Sequence, residues 1–345
     1  MSVTLLRLVC TAAMAAGAVL TPTPVAAAPD PAERPVAELL TDLRRLHREA
    51  ERATEKYNAT AEKLKTRRAE AARVNRSLAR ARTSLHDSRA AAGRLAGQQY
   101  QGGDDISPYV QWLLARDPQR ALEQGHLIRQ LARERAETLD RLTEDERTTA
   151  RLADRARTAL NTQLSLAERQ KKARDTVRER VREAEELIAS LTAEQRAAVA
   201  EQERRQVAGA QRKVMASGVL RGVRIPSTAG ARAVRYAMAQ IGKPYLWGAV
   251  GPNAYDCSGL TSRAWAAAGR PIPRTSQAQW AGLRRVPFGA LRPGDLVVYY
   301  ADATHVALYI GNGQVVQAPR TGSTVQVTPI AANPVLGAVR PDEGG

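Results

Sequence analysis

Apolar and small residues recur every three or four positions along the first long segment of this 345-residue chain. The seam runs through Val36, Leu39, Leu43, Leu46, Ala50, Ala53, Tyr57, Leu64, Ala71, Val74, Leu78, Ala81, Leu85, Ala92 and Leu95, with interruptions at Thr60, Arg67 and Ser88. Steps that alternate between three and four are the heptad pattern of a coiled coil. The pattern therefore predicts one long helix, about 90 Å at 1.5 Å per residue, that needs a partner along its seam.

The segment GQQYQGGDDISPY, at positions 97–109, ends the first helix at Gly102, Gly103 and Pro108. A second seam follows, through Leu131, Leu139, Leu142, Leu152, Leu160, Leu166, Val177, Val181, Leu187 and Leu191. Two long helices joined by a short lobe fold back on each other, so we expect an antiparallel hairpin over 29–216 with a tip lobe near 97–125. A plain spacer remains an open interpretation, and the Arg-rich faces are simply explained as solvated flanks.

Residues 217–230, SGVLRGVRIPSTAG, have the Gly, Pro and Ser content of a linker. The following unit, 231–341, has the size of an ordinary domain. Its pattern predicts a helix over 231–241, a helix over about 258–268, and then short alternating strands such as LVVYY and HVALYI. The expected fold class is an α+β domain preceded by a long all-α antiparallel coiled-coil hairpin.

Residues 1–28 begin with a single charge at Arg7, continue with an apolar run over 8–20 and end in TPTPVAAA. This order is typical of a secretory signal peptide with a small-residue cleavage site. The apolar run is too short for a membrane span of about 20 residues. Cleavage would remove Cys10 and leave Cys257 as the only thiol of an exported protein, where paired cysteines usually form disulfides.

Two explanations of Cys257 stay open, a small buried hydrophobic residue or a nucleophile. Asp256, Ser258 and Gly259 are small, polar residues that suit the start of a helix. At such a start, unpaired N–H groups and the positive end of the helix dipole favour a thiolate. His305 is the only histidine in the C-terminal unit, so any Cys/His pair in that unit consists of Cys257 and His305. The alternative is that His305 is an ordinary polar residue at the start of a strand. One Cys and one His cannot supply the ligands of a zinc site, and no cofactor is expected.

Five motifs follow one another in the C-terminal unit, namely GKPYLWG (242–248), YDCSGL (255–260), LRPGDLVVYY (291–300), THVALYIGNGQVV (304–316) and QAPRTG (317–322). Together they make residues 228–341, about a third of the chain, closely resemble the NlpC-type cysteine peptidases, papain-like bacterial cell-wall endopeptidases. The resemblance implies a papain-like domain in which Cys257 is the nucleophile and His305 its general base.

The resemblance also implies an orienting residue twelve positions after the histidine. Most members carry a second histidine there, whereas this chain has Gln317, whose carbonyl can accept the imidazole N–H and fix its tautomer. Tyr245 is implied near the oxyanion site, and Ser258, with Asp256 beside it, in the substrate subsite. Backbone N–H groups at the helix start would stabilise the developing oxyanion.

The strand pattern limits how His305 and Gln317 can meet. With regular pairing and a two-residue loop at Asn312-Gly313, the two side chains would point to opposite faces of the sheet. We therefore predict an odd-length loop with Gly313 in the left-handed region, forming a bulge that returns both side chains to one face.

The leading hypothesis is a secreted peptidoglycan endopeptidase at the cell surface or wall that cleaves an amide bond in stem peptides through an acyl-enzyme. The resemblance implies the bond between D-glutamate, linked through its side-chain carboxyl, and the following diamino acid. Two alternatives stay open. One is a wall-associated scaffold that binds stem peptides with weak or no hydrolysis, and the other is an acyltransferase or amidase on the same scaffold.

The formal net charge of +17 favours anionic wall polymers as partners. Nucleic acid is not expected, because the sequence has no nucleic-acid-binding motif. Wall hydrolases that resemble this layout often carry an N-terminal coiled coil that docks on a membrane-embedded division complex or covers the active site. The candidate contact for such a complex is the apolar tip with Tyr109, Trp112, Leu113 and Leu114.

Overall fold

The computed structural model describes residues 34–101, 110, 112, 118–222 and 224–342. The expected signal peptide lies outside the described residues, as do Tyr109, Leu113 and Leu114 of the tip. Among the described helices, none combines the length and the apolar content that crossing a bilayer requires.

Two long helices form the N-terminal arm. Helix α1 covers Val36–Gln101 and helix α2 covers Pro118–Ser190. Arg89 contacts Glu146 while Arg180, further along α2, contacts Glu49, so the two helices run antiparallel. The buried positions of α1 follow the predicted seam and include Leu39, Leu43, Leu46, Ala50, Ala53, Leu64, Ala71, Leu78 and Leu85. The predicted helical hairpin is confirmed.

The seam of α2 differs in part from the prediction. Its inward positions run through the buried Thr138 and the half-buried Leu142 and Leu152. Leu139 and Leu160 each lie one residue past an inward position and are more than half exposed, and Leu131 is also exposed. Two helices that face only each other bury one narrow stripe, so leucines just off that stripe stay in solvent.

A third helix, α3 (Ala193–Ala216), follows a break that the sequence pattern did not predict. The Thr192 side chain accepts the N–H of Gln195, whose side chain in turn accepts the N–H of Thr192. This reciprocal cap satisfies two N–H groups that a helix start leaves unpaired. Helix α3 packs beside the beginning of α1, where one apolar cluster contains Leu39, Leu40, Leu43, Leu191 and Val199.

The C-terminal domain contains three helices and a six-stranded sheet. The helices are α4 (Thr228–Met238), α5 (Cys257–Ala267) and α6 (Ser276–Gly282). The strands are β1 (Arg284–Val286), β2 (Leu296–Tyr299), β3 (His305–Gly311), β4 (Gln314–Gln317), β5 (Gln326–Pro329) and β6 (Val335–Arg340). All pairings are antiparallel, in the order β1-β6-β2-β3-β4-β5. The α+β prediction is confirmed.

Both faces of the sheet are covered. Helices α4 and α5 cover one face, where Trp265 and Leu260 belong to the same apolar cluster as Val298, Val306 and Leu308. The other face carries Val297, Ala307 and Tyr309 and packs against Val214, near the end of α3. Helix α3 also reaches the β3–β4 turn, where the Gln211 side chain donates to the Gly313 carbonyl at 3.0 Å. The arm and the C-terminal domain are therefore in direct contact.

Candidate active site

Cys257 is the first residue of α5, as its polar neighbours predicted. Asp256 has extended backbone angles and caps the helix, because its carboxylate accepts the N–H of Gly259 at 2.6 Å. A residue at Gly259 with a Cβ would meet the Ala249 carbonyl at 2.1 Å. Glycine at this position therefore allows the chain to approach closely enough to place the thiol at the positive end of the helix.

His305 opens β3 and is bound through one ring nitrogen to Gln317 at the end of β4. The distance between His305 Nε2 and Gln317 Oε1 is 2.6 Å. The other amide atom of Gln317, Nε2, donates to Thr328 Oγ1 at 2.7 Å, which points the carbonyl oxygen at the imidazole. His305 Nε2 is therefore the donor in this contact, and His305 Nδ1 is the nitrogen left to face the cleft.

The β3–β4 hairpin brings His305 and Gln317 to one face, by a route that differs in detail from the prediction. Gly313 is left-handed with φ 67°, as expected, and Asn312 has φ 54°. The loop is nevertheless only two residues long, because Gly311 pairs with Gln314. The extra residue is Ile310, a bulge within β3 between the Tyr309–Val315 and Gly311–Gln314 pairs. The predicted odd-length loop is wrong, since the odd residue lies in the strand.

Asp256 and Tyr245 lie beside the thiol in different roles. The Asp256 carboxylate is fully buried and accepts hydrogen bonds from the Gly248 and Gly259 N–H groups and from Arg274. It therefore organises the loop and the helix start. The Tyr245 ring is 8% exposed, and burial, followed by the charge of Cys257, raises the pKa of its hydroxyl well above its ordinary value. This hydroxyl remains a proton donor at neutral pH.

Helix α1 occupies the cleft in front of Cys257 and His305. Glu51 Oε1 lies 3.2 Å from His305 Nδ1. Glu55 Oε1 lies 4.0 Å from Cys257 Sγ. Glu51, Thr54, Glu55 and Asn58 are all buried, and the Tyr57 ring meets the Trp247 ring edge-on at 5.2 Å. The N-terminal arm thus covers the candidate nucleophile, which is 2% exposed.

The Glu55 carboxylate is bound by two groups of the C-terminal domain, with the charge of Arg274 behind them. It accepts a hydrogen bond from Ser258 Oγ at 2.7 Å and another from the Ser276 N–H, at the start of α6, at 2.8 Å. Arg274 donates to the same Ser258 oxygen at 2.8 Å and lowers the pKa of Glu55 by its charge. Ser258, Ser276 and Arg274 therefore form a subsite for a carboxylate directly beside the thiol.

Burial and neighbouring charge control the titrating groups of the site. Burial raises the pKa of Cys257 to about 11; His305 lowers it, and Glu55 and Asp256 raise it further. Burial lowers the pKa of His305, but Glu51 and Cys257 raise it, and the net result is a pKa well above its ordinary value. Burial and the charge of Asp256 raise the pKa of Glu55 to about 7.

The sequence led us to expect a thiolate, and the covered cleft does not favour one. The helix dipole and the imidazole both act in the expected direction. Under α1, however, the thiol has lost its contact with water and has gained the carboxylate of Glu55 as a neighbour. Burial raises the pKa of Cys257 to about 11, which favours the neutral thiol in this conformation.

Sequence reasoning placed Cys257, His305 and Gln317 together but missed the residues contributed by α1. Glu51, Glu55 and Asn58 have the i, i+4, i+7 spacing of one helix face, next to the seam positions Ala50 and Ala53. An acidic face on a long helix has the same pattern whether it meets solvent or a cleft, so only the contacts identify its role. Asn58 Nδ2, for example, donates to Asp256 Oδ2 at 3.1 Å.

A cysteine at a helix start, a histidine on the adjacent strand and an amide that orients it define a papain-like cysteine peptidase domain. Residues 242–337 match the model of the NlpC/P60 family. The C-terminal domain therefore belongs to the NlpC/P60 family, as the motifs predicted.

Relatives named as endopeptidases share this domain. A probable endopeptidase of Corynebacterium glutamicum is 45% identical over 114 residues, which are 33% of this chain and 54% of the relative. The peptidoglycan endopeptidase RipA of Mycolicibacterium smegmatis is 40% identical over 124 residues, covering 31% and 25% of the two chains. The solved NlpC/p60 domain of the peptidoglycan hydrolase SagA is 32% identical, with a TM-score of 0.30, over 32% of this chain and 97% of that domain. The chain thus spans about half the length of the Corynebacterium relative and a quarter of RipA.

Proposed function

We propose that the protein is a secreted peptidoglycan endopeptidase that hydrolyses an amide bond in stem peptides. The observation that carries this proposal is the arrangement of Cys257 at the helix start, with His305 beside it and the Gln317 carbonyl on His305 Nε2. The relatives named as peptidoglycan endopeptidases support the choice of substrate.

The chemistry follows from the free ring nitrogen. Once the cleft is open, His305 Nδ1 takes the thiol proton while Nε2 stays bound to Gln317. The thiolate of Cys257 attacks the amide carbon, and the carbonyl electron pair moves onto oxygen, where N–H groups at the start of α5 and the Tyr245 hydroxyl can donate. The imidazolium then protonates the departing amine, and a water deprotonated by His305 hydrolyses the thioester.

The carboxylate subsite supports a particular bond. Ser258 and Ser276 hold the Glu55 carboxylate 4.0 Å from the sulfur, and Arg274 supports Ser258 from behind. An acidic group of the substrate therefore fits beside the scissile carbonyl. A glutamate linked through its side-chain carboxyl keeps its α-carboxylate free. We therefore propose that the enzyme cuts between D-γ-glutamate and the following diamino acid.

Latency is part of the proposal, because α1 fills the space that the substrate needs. The arm must leave the cleft before a stem peptide can reach Cys257. The arm tip remains our candidate for contact with a membrane division complex that moves it. The excess of basic residues supports attachment to anionic polymers of the wall, where we place the exported protein.

Muropeptide mass analysis tests this function. Purified cell walls are incubated with the full chain, with an open variant that carries Glu51→Ala and Glu55→Ala, and with the open variant after Cys257→Ala. We expect the open variant to release two fragments that together carry one added water, split at the glutamate–diamino acid bond. The Cys257→Ala chain is expected to release none.

The same measurement separates the alternatives. Intact muropeptides after treatment with the open variant would contradict hydrolysis and favour a scaffold that only binds stem peptides. A product in which the acyl group has moved to an amine would identify an acyltransferase. Cleavage that persists without the thiol would contradict the acyl-enzyme mechanism.

A further inference from the structure

Glu51 lies against the ring nitrogen of His305 that the catalytic step needs. Gln317 holds Nε2, and Glu51 Oε1 approaches Nδ1 at 3.2 Å. The His305 ring is fully buried and Glu51 is 8% exposed. Among the described residues no hydrogen bond is aligned with Nδ1, so the approach is an ion-pair contact rather than a directed hydrogen bond.

The geometry requires a proton on Nδ1 whenever Glu51 is ionised. A neutral imidazole that donates through Nε2 carries a lone pair on Nδ1, and that lone pair would face a carboxylate in a buried site. Protonation converts the repulsion into the attraction of an imidazolium and a carboxylate. The free oxygen Glu51 Oε2 is buried without a hydrogen-bond partner in the described part of the chain, which increases the need for a nearby cation.

Other cations near Glu51 are already paired. Arg320 is within electrostatic range of Glu51, but both of its terminal nitrogens donate to Glu203 at 3.0 Å. Arg52 is bound to Asp302, and Arg48 lies 3.8 Å from the Asp302 carboxylate. His305 is therefore the cation that Glu51 contacts directly.

We propose that Glu51 takes the place of the Cys257 thiolate as the counter-ion of the His305 imidazolium, so that the docked arm inactivates the nucleophile chemically as well as covering it. The inference rests on the proposed function only for the roles of Cys257 and His305. In an active thiol peptidase, one proton moves from sulfur to the imidazole. Here Nδ1 already holds a proton and its charge is balanced by Glu51, so the imidazole cannot accept the thiol proton.

The other charged groups near Glu51 and His305 also disfavour a thiolate at Cys257. Glu55 and Asp256 are the carboxylates nearest the sulfur, and both disfavour a second negative charge there. Tyr299, whose ring centroid lies 5.6 Å from that of His305, and Gln317 are uncharged neighbours. A thiolate would therefore be repelled by the two nearby carboxylates. The attraction of the imidazolium would not compensate for this repulsion, because Glu51 already balances the imidazolium charge.

Nitrogen NMR of the histidine rings tests the protonation state in the unaltered protein. The full chain is labelled at histidine nitrogens, and the His305 signals are assigned by their loss in His305→Ala. We expect both ring nitrogens of His305 to show imidazolium shifts at pH 7.5, about one unit above the ordinary histidine pKa. A neutral ring at that pH would overturn the proposal.

Thiolate absorbance at 240 nm tests the role of Glu51, with Cys257→Ala as the blank. Glu51→Gln keeps the shape of the side chain and removes its charge. Glu49→Gln, two residues earlier on the same helix, makes the same change where Glu49 meets Arg45 and Arg180. We expect Glu51→Gln to lower the pH midpoint of the thiolate titration by at least about one unit, a tenfold change in the ionisation constant, and Glu49→Gln to leave the midpoint unchanged.

Hydrogen exchange of residues 46–60 reports in parallel whether α1 stays in the cleft. If Glu51→Gln forms thiolate more readily while residues 46–60 stay protected from hydrogen exchange, the counter-ion role is supported. If the Cys257 titration is unchanged while these residues stay protected, the counter-ion role is overturned. An equal increase of thiolate in Glu49→Gln also overturns it. If Glu51→Gln releases α1, the NMR result on the unaltered chain decides. None of these readouts uses peptidoglycan, so a chain that failed to cleave walls would contradict the proposed function and leave this inference standing.

Discussion

Glu55 of the N-terminal arm and Ser258 of the C-terminal domain are separated by 203 positions in the chain, yet Ser258 Oγ donates to Glu55 Oε1 at 2.7 Å. The bond crosses the cleft next to Cys257, and the Ser276 N–H donates to the other carboxylate oxygen. A side chain of this chain thus occupies the site that we assign to the substrate carboxylate. These contacts close the approach to the thiol.

Removing the Glu55 carboxylate is expected to expose the thiol. Glu55→Ala loses the hydrogen bonds to Ser258 and Ser276, each worth about 1.5–3 kcal/mol when a charged group takes part. We expect alkylation of Cys257 by iodoacetamide at pH 7.5 to accelerate at least tenfold, measured by intact mass against time. Glu62→Ala, at an exposed position two turns further along α1, is the matched control. Equal rates for the two variants would show that Glu55 does not hold the arm in place.

Docking of α1 is expected to weaken as pH rises. In the cleft the pKa of Glu55 is about 7, against an ordinary value of 4.5. A raised pKa means that the docked state binds the proton more tightly, so this contribution is complete below pH 4.5 and is lost as pH rises through 7. The raised pKa of His305 acts in the same direction above its ordinary value of 6.5. We expect protection of residues 47–58 against hydrogen exchange, corrected for intrinsic rates, to fall at least tenfold between pH 5 and pH 8. Protection that increases over this interval would contradict the assignment.

Gln317 is expected to matter for turnover more than for binding. In the open variant, Gln317→Ala removes the acceptor on His305 Nε2 and frees the ring to rotate. A loss of about tenfold in kcat, equal to roughly 1.4 kcal/mol, with KM unchanged, is expected for one such hydrogen bond. Gln317→His supplies the residue that most members of the family carry and should restore most of the rate. A KM effect without a kcat effect would assign Gln317 to substrate binding.

Buried leucines of the arm are expected to contribute more to its free energy of unfolding than exposed ones. Leu64 is 2% exposed in α1, and Leu64→Ala should lower the free energy of unfolding of the arm by about 2–5 kcal/mol. Leu139 is 56% exposed in α2, and the same substitution there should change it by less than about 0.5 kcal/mol. Thermal unfolding followed by far-UV circular dichroism distinguishes the two. Similar losses at both positions would contradict the observed seam.

The sequence predicted the features that depend on local pattern. Steps of three and four predicted α1, because a seam needs a helix to present it on one side. The small polar residues Asp256, Ser258 and Gly259 predicted a helix start around Cys257, and the structure shows that Asp256 caps this helix. Motif resemblance led correctly to the papain-like domain and to the pairing of His305 with Gln317.

Features that depend on distant contacts escaped prediction. The bulge at Ile310 needs only one extra residue in a strand, and alternation does not say whether the strand or the loop accommodates it. Glu51 and Glu55 contact residues more than 200 positions away in the chain, and the local sequence pattern does not indicate such contacts. The raised pKa of Cys257 follows from that docking, so the thiolate expected from the helix start alone is not favoured in this conformation.

The residues that fill the cleft belong to the same unbroken helix that runs out to Gln101. Asn58 lies roughly 65 Å from that end at 1.5 Å per residue. A continuous helix transmits torsion, and a rotation of about 100°, one residue step, would swing both carboxylates away from the imidazole and the serine. The helix that covers the cleft is therefore also a rigid connection between the two carboxylates and the remote end of the arm.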